Sequence, residues 1–423
     1  MKVLWLCSIA PPRIAKTLGF EASNKEGWIT GLYDMLLKNS QENKIQLGIC
    51  FPISGEIEKL NGEVENVKYY GFHEDIKKPW KYDYNIEKEL KLITEEFKPD
   101  LIHIFGTEYP HTLAMANVYP FPERILVGIQ GLCNEYAKYY MAEIPKNVQR
   151  RVLLRDFLKH DNLIQQQRKF VSRGVNEVAA LNKITHVTGR TDFDKNYTKL
   201  YNPKSVYHFM NETLRSNFYD KRWKYGQCEP YTIFVSQGNY PIKGLHFMVE
   251  AMKTIIEKYP AAHLYVAGDV VTRYKTLKDK IKISSYGKYL LDLIKTNSLE
   301  TSITFVGNLN NLEICQRYLS SNVFVSPSAI ENSPNSVGEA MLLGVPVISS
   351  DVGGVHNLIS DRTEGYLYPY TDVNQLAESV CKIFADPASA TILGNKARAH
   401  AMVTHDANVN YHRLLDIYRR IND

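Results

Sequence analysis

The stretch that decides the fold runs from Ser326 to Gly354 and reads SPSAIENSPNSVGEAMLLGVPVISSDVGG. One apolar run precedes it, and a second begins directly after Gly344. Ser333 and Pro334 have the residue types of an N-cap and a first helical residue, and Gly344 suits a left-handed C-cap. The stretch therefore predicts a strand, a helix and a strand in succession, which is half of a parallel α/β unit.

Two carboxylates frame the predicted helix. Glu331 lies just before its start and Glu339 lies inside it, with seven residues between them. A helix N-terminus offers backbone N–H groups and a positive dipole end, which suit a phosphate. A carboxylate beside a phosphate site can accept hydrogen bonds from sugar hydroxyls. The spacing alone leaves two interpretations open: a nucleotide-sugar site, or two solvated surface carboxylates.

Length and composition indicate a two-domain globular protein. The chain has 423 residues, of which 44% are hydrophobic and 23% are charged. The six cysteines lie far apart in sequence, which excludes a zinc knuckle or a CxxC redox motif and favours reduced thiols in a cytoplasmic protein. We expect neither a signal peptide nor a membrane span, because no apolar run is long enough.

The basic residues are concentrated in one segment. Lys146–Arg173 holds eight basic and two acidic side chains, while the whole chain has a net charge of +5. The sequence predicts one helix over 148–170, in which apolar and basic residues are mixed. Such a helix can lie on the anionic surface of a membrane, as a peripheral contact. The alternative is a solvated helix face between the domains.

The pattern from Glu331 onward resembles a known family. Glu-x7-Glu, then Ala-Met-x-x-Gly-x-Pro-Val and Asp-x-Gly-Gly, is similar to the retaining GT-B glycosyltransferases of family 4, also called glycosyl transferases group 1. The resemblance covers the C-terminal half well and the N-terminal half loosely. It implies two Rossmann-like domains that face each other across a cleft, with a C-terminal helix that crosses back to the first domain. The implied boundaries are 1–212 plus about 405–423 for the acceptor domain, and 213–404 for the donor domain.

The resemblance also implies roles for individual residues. Glu339 would bind the ribose hydroxyls of a nucleotide diphosphate sugar, and Glu331 would bind hydroxyls of the donor sugar. Lys243 and the N–H groups of Asn335 and Ser336 would hold the diphosphate. Glu331 and Lys243 are the catalytic candidates. The further donor-binding candidates are Pro334, Gly238, Asn239, Gly307 and Asn308. Gly238 stands where the family has an arginine, and this departure weakens the expected diphosphate site.

The acceptor side has four candidates in the N-terminal half. Gly27 opens a predicted helix where the family often has a Gly-Gly pair, whose first position is Glu26 here. Gln130 stands near the position of a histidine that touches the donor sugar in the family. Glu108 and His111 follow a predicted strand over 100–106, and ligands bind at such strand ends in open α/β sheets. A plain surface loop over 107–111 is the alternative.

The resemblance implies a retaining glycosyltransferase that needs no metal and no cofactor. Its acceptor would be a glycan or a lipid-linked molecule, in bacterial cell-surface polysaccharide synthesis, and nucleic acid is not an expected partner. Two alternatives remain. A non-catalytic nucleotide-sugar-binding protein of the same fold would explain Gly238 and Gln130. A sugar-nucleotide epimerase shares the two-domain fold, but lacks the Glu-x7-Glu and Lys-Gly arrangement seen here.

Overall fold

The computed structural model describes residues 1–20 and 27–423 and divides into two compact units. Unit 1 comprises Met1–Ala137, Lys169–Leu214 and His405–Asp423, and unit 2 comprises Lys138–Arg168 and Arg215–Thr404. Both units are α/β structures built on a mainly parallel sheet, as the sequence predicts. One expectation is wrong: residues 138–168, which we placed in the first domain, pack within unit 2.

The strands form one sheet in each unit. The strands of unit 1 are β1 Lys2–Leu6, β2 Gln46–Ile53, β3 Asn61–Val64, β4 Val67–His73, β5 Leu101–Phe105, β6 Ile125–Gly128, β7 His186–Gly189 and β8 Val206–Phe209. Those of unit 2 are β9 Thr232–Val235, β10 His263–Ala267, β11 Ile303–Gly307, β12 Val323–Ser326, β13 Val347–Ser350 and β14 Tyr366–Tyr368. The sheet orders are β3-β4-β2-β1-β5-β6-β7-β8 and β11-β10-β9-β12-β13-β14. Only the β3–β4 pairing is antiparallel among the described strands.

Helices connect these strands and cover both faces of each sheet. In chain order they are α1 Pro12–Thr17, α2 Gly27–Lys38, α3 Ser40–Asn43, α4 Asn85–Phe97, α5 Pro110–Val118, α6 Cys133–Tyr139, α7 Lys146–Gln149, α8 Leu154–Lys159, α9 Leu163–Leu181, α10 Asp192–Tyr201, α11 Leu245–Lys258, α12 Leu277–Lys282, α13 Ser285–Thr296, α14 Asn311–Leu319, α15 Asn335–Leu343, α16 Val373–Ala385, α17 Pro387–Thr404 and α18 Ala407–Asn422. Across residues 1–20 and 27–423, none of these helices has the length and apolar character that a bilayer span requires.

The central strand β1 divides the core of unit 1 into two layers. Its side chains alternate, so that Val3 and Trp5 enter one apolar cluster while Leu4 and Leu6 enter the other. Helix α18 closes the first cluster, where the Trp5 indole N–H donates to the Tyr418 hydroxyl at 2.8 Å. The C-terminal helix therefore belongs to the fold of unit 1, as expected.

The predicted helix over 148–170 is wrong in its length. The structure has α7, α8 and the start of α9 there. Helix α8 ends at His160, whose φ of 48° lies in the left-handed region. A helix cannot continue through that conformation, so the segment turns and restarts.

Candidate functional site

The candidate site of unit 2 lies where the strand order of its sheet reverses. From β9 the sheet extends through β10 to β11 on one side, and through β12 to β14 on the other. The loops that leave neighbouring strands at such a reversal diverge and open a crevice at the carboxyl ends of the strands. The loop after β9, the loop after β12 and the helix α15 that follows it together carry most of the residues that the sequence predicts for donor binding.

Gly244 brings these two loops together. It has a φ of 66°, and a Cβ atom built on it would lie 1.8 Å from the carbonyl oxygen of Pro327. A side chain of any kind would therefore collide with the backbone of the loop after β12. Glycine here serves both the left-handed turn between Lys243 and α11 and the close approach of the loops.

The close approach places Lys243 against Glu331. The Lys243 Nζ lies 2.6 Å from the Glu331 Oε1, and the side chains are 19% and 8% exposed. The Ser328 hydroxyl donates to the same carboxylate oxygen at 2.7 Å. Burial lowers the pKa of Lys243, but the charge and hydrogen bond of Glu331 act together with Tyr240 against burial, and the pKa is raised overall. The lysine is therefore a permanent cation at neutral pH.

The Asp-x-Gly-Gly motif holds Glu331 from the other side. The backbone N–H of Gly354 donates to the carbonyl oxygen of Glu331 at 3.1 Å. Gly353 has a φ of 54°, and a Cβ atom there would lie 1.9 Å from that carbonyl oxygen. The motif therefore works on Glu331 through the backbone, which the sequence pattern alone does not reveal.

Helix α15 starts directly after the Glu331 loop. Pro334 occupies the N-cap position and makes no side-chain cap, so the helix begins at Asn335, one residue later than predicted. An α-helix provides no carbonyl acceptor within itself for the N–H groups of its first turn. Together with the helix dipole, these groups favour an anion at this end. Gly344 ends the helix with a φ of 78°, which confirms the predicted left-handed C-cap.

Glu339 is buried in α15 and is paired with an arginine. The Arg215 Nε donates to the Glu339 Oε1 at 2.7 Å. Burial raises the pKa of Glu339, and the charge of Arg215 opposes that rise without cancelling it. Arg215 also packs on the ring of Phe218, with 4.8 Å to the centroid. The sequence gives no signal for this pairing, because 124 residues separate the partners.

The loop after β9 explains the missing arginine at Gly238. A Cβ atom on Gly238 would lie 2.5 Å from the Leu245 Cδ2, so a side chain there would press into α11. The next residue, Asn239, has a buried Oδ1 that accepts no hydrogen bond from the described residues. Asn239 lines an open cavity of about 620 Å³, whose wall includes Arg273 and Lys278. A ligand that donates a hydrogen bond could therefore satisfy the Asn239 Oδ1.

Gly307 and Asn308 lie at the same edge of the sheet, after β11. The Asn308 side chain donates to the Asp269 carboxylate at 3.0 Å, across the ends of β11 and β10. Gly307 has a φ of 79° and no atom within 4 Å of a Cβ built on it. The strand order separates these residues from β12 by β10 and β9.

The acceptor candidates of unit 1 are more deeply placed than expected. Gly27 is the first residue of α2, and Glu26 lies outside the described residues. His111 is only 1% exposed, in α5 rather than in a loop, and its Nδ1 lies 2.5 Å from the Glu74 carboxylate. The imidazole is therefore buried beside Glu74, whereas the sequence places it in an accessible loop. The Glu108 carboxylate accepts from the Gly131 N–H at 2.7 Å, and burial raises its pKa.

Gln130 belongs to a buried polar cluster in unit 1. Its amide donates to the Glu212 Oε1 at 2.5 Å, and the Arg190 guanidinium lies 2.7 Å from the other Glu212 oxygen. These groups line an enclosed cavity of about 20 Å³, together with His103, whose pKa burial lowers to about 3. Gln130 is therefore held by Glu212 at the end of β6.

Glu177 is a further buried carboxylate that the sequence reasoning missed. It accepts hydrogen bonds from the Thr107 hydroxyl at 2.8 Å, the Cys133 N–H at 2.9 Å and the Tyr197 hydroxyl at 2.5 Å. Burial raises its pKa to about 7, against these donors. It lies within the long helix α9, where nothing in the local pattern distinguishes it from a solvated glutamate.

Comparisons with known proteins bear on the fold and on the family of this chain. Residues 217–400 match the family model described as "Glycosyl transferases group 1". Sulfoquinovosyl transferase SQD2 of Arabidopsis thaliana is 28% identical over 224 residues, which cover 52% of this chain and 39% of that protein. Sucrose-phosphate synthase from Thermosynechococcus elongatus has a TM-score of 0.71 and 17% identity, with 100% of this chain and 99% of that chain covered. Anabaena HepE in complex with UDP has a TM-score of 0.65 and 15% identity, with 99% of each chain covered.

The comparisons show the fold and the class of domain. The two-unit α/β structure is the GT-B fold of these glycosyltransferases, and the matches support a transferase enzyme. The chain spans less than half the length of most of the curated relatives that it matches. Among the described residues, no group of three or more His, Cys, Asp or Glu side chains could hold a metal ion.

Proposed function

We propose that this protein is a retaining glycosyltransferase of family 4 that moves a sugar from a nucleotide diphosphate sugar to a glycan or lipid-linked acceptor. The observation that carries the proposal is the buried Lys243–Glu331 pair, 2.6 Å apart at the strand-order reversal of unit 2. The N-terminus of α15 follows directly after it. A cation, a sugar-binding carboxylate and a helix N-terminus are what a sugar diphosphate requires.

The chemistry follows from where charge develops. Breaking the bond between sugar and phosphate leaves negative charge on the diphosphate. Lys243 and the N–H groups of Asn335 and Ser336 would stabilise that charge. Glu331 would orient the donor sugar through its hydroxyls, and Glu339 would accept from the ribose hydroxyls beside Arg215.

No side chain is proposed as a covalent nucleophile. The acceptor hydroxyl would attack the same face of the sugar from which the diphosphate departs, and the departing phosphate would take the proton of that hydroxyl. The bond between sugar and phosphate breaks as the new glycosidic bond forms, and the anomeric configuration is retained. No metal takes part in the proposed step. Trapping a glycosyl–enzyme adduct, or finding an inverted anomer in the product, would contradict it.

Uridine nucleotides are the first donors to test, since HepE of similar fold is solved in complex with UDP. We expect one nucleotide or its sugar to raise the melting temperature of the wild type. Ligand at a hundredfold excess over its dissociation constant adds about 2.7 kcal/mol of stability. We expect Lys243→Ala to lose that shift and Lys253→Ala to keep it, because Lys253 is an exposed lysine on α11.

The enzymatic part of the proposal needs a separate readout. Release of nucleoside diphosphate should require both the donor and an acceptor, and NMR of the product should show the donor's anomeric configuration. A shift that Lys243→Ala retains would refute the donor site drawn here. Release of nucleotide with an inverted product would keep the site and refute the retaining mechanism.

A non-catalytic nucleotide-sugar-binding protein is the second candidate, because Gly238 leaves no room for the family's arginine. It would bind nucleotide but would form no nucleoside diphosphate from a donor sugar and any acceptor. An epimerase would instead interconvert nucleotide sugars without an acceptor. The place of the reaction in bacterial cell-surface polysaccharide synthesis, and a cytoplasmic location with peripheral contact at the membrane, belong to the same proposal.

A further inference from the structure

Helix α8 has its apolar face turned outward. Leu154, Phe157 and Leu158 have the i, i+3, i+4 spacing of one helix face, and Phe157 and Leu158 are 66% and 65% exposed. The residue that points inward is the carboxylate Asp156, which is 1% exposed. A helix of a globular protein normally shows the reverse arrangement.

Asp156 fixes this orientation. Its Oδ2 accepts a hydrogen bond from the backbone N–H of Ser285, at the start of α13, at 3.0 Å. The Ser285 hydroxyl also bonds this carboxylate, and Arg155 lies 3.0 Å from its other oxygen. Rotating α8 to bury Phe157 would break a buried charge network. The outward apolar face is therefore built into unit 2.

Helix α12 lies beside α8 and extends the apolar surface. Leu277 and Ile281 have the i, i+4 spacing, and Leu277 is 78% exposed. We call this surface the α8–α12 patch. Its exposed apolar side chains are Val152, Leu154, Phe157, Leu158, Leu277 and Ile281.

Exposed basic side chains accompany the patch. They are Arg150, Lys159, Lys275, Lys280 and Lys282. The nearby acidic groups are engaged: Asp156 is buried, Asp161 lies 3.2 Å from Arg155, and Asp279 caps α12 by accepting from the Thr276 N–H at 2.9 Å. The surface thus combines exposed apolar side chains with a strong excess of positive charge.

We propose that the α8–α12 patch docks on an anionic phospholipid surface. The apolar side chains would enter the boundary between headgroups and acyl chains, while the basic side chains contact the lipid phosphates. A second copy of this chain fits less well, because pairing the patch with itself would bring like charges together. The proposal rests on the peripheral membrane contact of the proposed function and names the surface that makes it, and it uses none of the residues assigned to the donor.

This surface differs from the one expected from the sequence. The C-terminal part of Lys146–Arg173 is engaged within unit 1, where the Arg173 Nε donates to the Glu108 carbonyl at 3.0 Å and Lys169 lies 4.4 Å from the Trp80 ring centroid. The proposed contact lies instead on α8 and on α12, and α12 falls outside Lys146–Arg173.

Co-sedimentation of the full chain with lipid vesicles tests the proposal. We expect binding to vesicles that contain an anionic phospholipid, and much weaker binding to purely zwitterionic ones. The double variant Phe157→Ser/Leu158→Ser should bind at least about a hundredfold more weakly, because each buried apolar side chain contributes about tenfold or more. Lys159→Glu/Lys280→Glu should lose about 25-fold or more, since each basic residue near such a surface contributes about fivefold.

Leu92→Ser is the matched control. Leu92 is also 65% exposed, but it lies on α4 in unit 1, away from the patch. Its vesicle binding should equal that of the wild type. Circular dichroism checks that each variant is folded, and the charge variant keeps the test valid if the serine variant unfolds.

Three results would overturn the proposal. The wild type does not bind anionic vesicles, or both patch variants bind them as well as the wild type does. In the third, the wild type is a dimer that Leu158→Ser dissociates, and it does not bind vesicles. The last result would assign the patch to a second copy of the chain. The vesicle test does not depend on donor binding, which is measured separately with free nucleotide. A failure of the membrane proposal is therefore distinguishable from a failure of the proposed function.

Discussion

Gly244→Ala is the sharpest test of how the candidate donor site is assembled. The new methyl carbon would lie 1.8 Å from the Pro327 carbonyl oxygen, whereas an ordinary carbon–oxygen contact is about 3.3 Å or longer. The loops after β9 and β12 would have to separate by roughly 1.5 Å. Lys243 and Glu331 are 2.6 Å apart on these loops, so their ion pair would not survive that movement.

The expected loss of stability has two parts. An alanine in the left-handed region costs about 1–2 kcal/mol. Breaking a buried ion pair and leaving one charge without its partner costs about 3–5 kcal/mol. Because the loops can relax in part, we expect a total of about 4 kcal/mol. Nucleotide-sugar binding should be lost as well, since Lys243 no longer faces the site.

Gly344→Ala is the matched control for this variant. Gly344 has a φ of 78°, but the nearest atom to its Cβ position is 3.4 Å away, an ordinary contact. We expect a loss of about 1–2 kcal/mol there, from the backbone conformation alone. A protein of two units has no single well-defined free energy of unfolding. Hydrogen exchange by mass spectrometry avoids this difficulty, because it measures the loss of stability within unit 2 itself. Equal losses for the two variants would refute the role given to the loop contact.

Two predictions concern unit 1. Tyr418→Phe removes the hydroxyl that accepts from Trp5 at 2.8 Å and bonds the His103 Nδ1 at 2.7 Å, so we expect a loss of about 2 kcal/mol and faster hydrogen exchange in β1 and β5. Unchanged exchange there would contradict the account of how α18 is attached. Burial raises the pKa of Glu177 from 4.5 to about 7, so the folded state holds its proton more tightly than the unfolded state. Its stabilising effect is complete below pH 4.5 and is lost as the pH rises through 7, by about 3 kcal/mol, and Glu177→Gln should flatten this slope in unfolding experiments.

The local elements of the candidate site could be predicted from the sequence. The strand, helix and strand around α15 follow from apolar runs, a proline and a glycine that lie within a few residues of each other. The sequence predicts the start of α15 one residue too early, because Pro334 itself takes the N-cap position. Such signals are local, and the structure changes them little.

The contacts between distant residues could not be predicted. Arg215 meets Glu339 because the chain enters unit 2 beside α15, which only the tertiary fold determines. His111 seemed accessible at the end of a strand, but Glu74 draws it into the interior. Residues 138–168 are predicted in the first domain but belong to unit 2, where the Asp156 carboxylate accepts from the backbone N–H of Ser285 at the start of α13. In each case a buried charge found its partner far along the chain.

The charges at the candidate donor site also limit how a diphosphate could bind there. Glu331 offsets part of the positive charge that Lys243 would bring to a diphosphate. Gly238 adds no cation, because Leu245 fills the space that a side chain would need. The phosphate charge must then be met by Lys243 together with the N-terminus of α15 and with cations of the neighbouring cavity wall, such as Arg273. Cations of the cavity wall are more accessible to solvent and salt than a buried arginine would be. Donor binding should therefore weaken more with rising ionic strength than it would in a site that holds the diphosphate with a buried arginine.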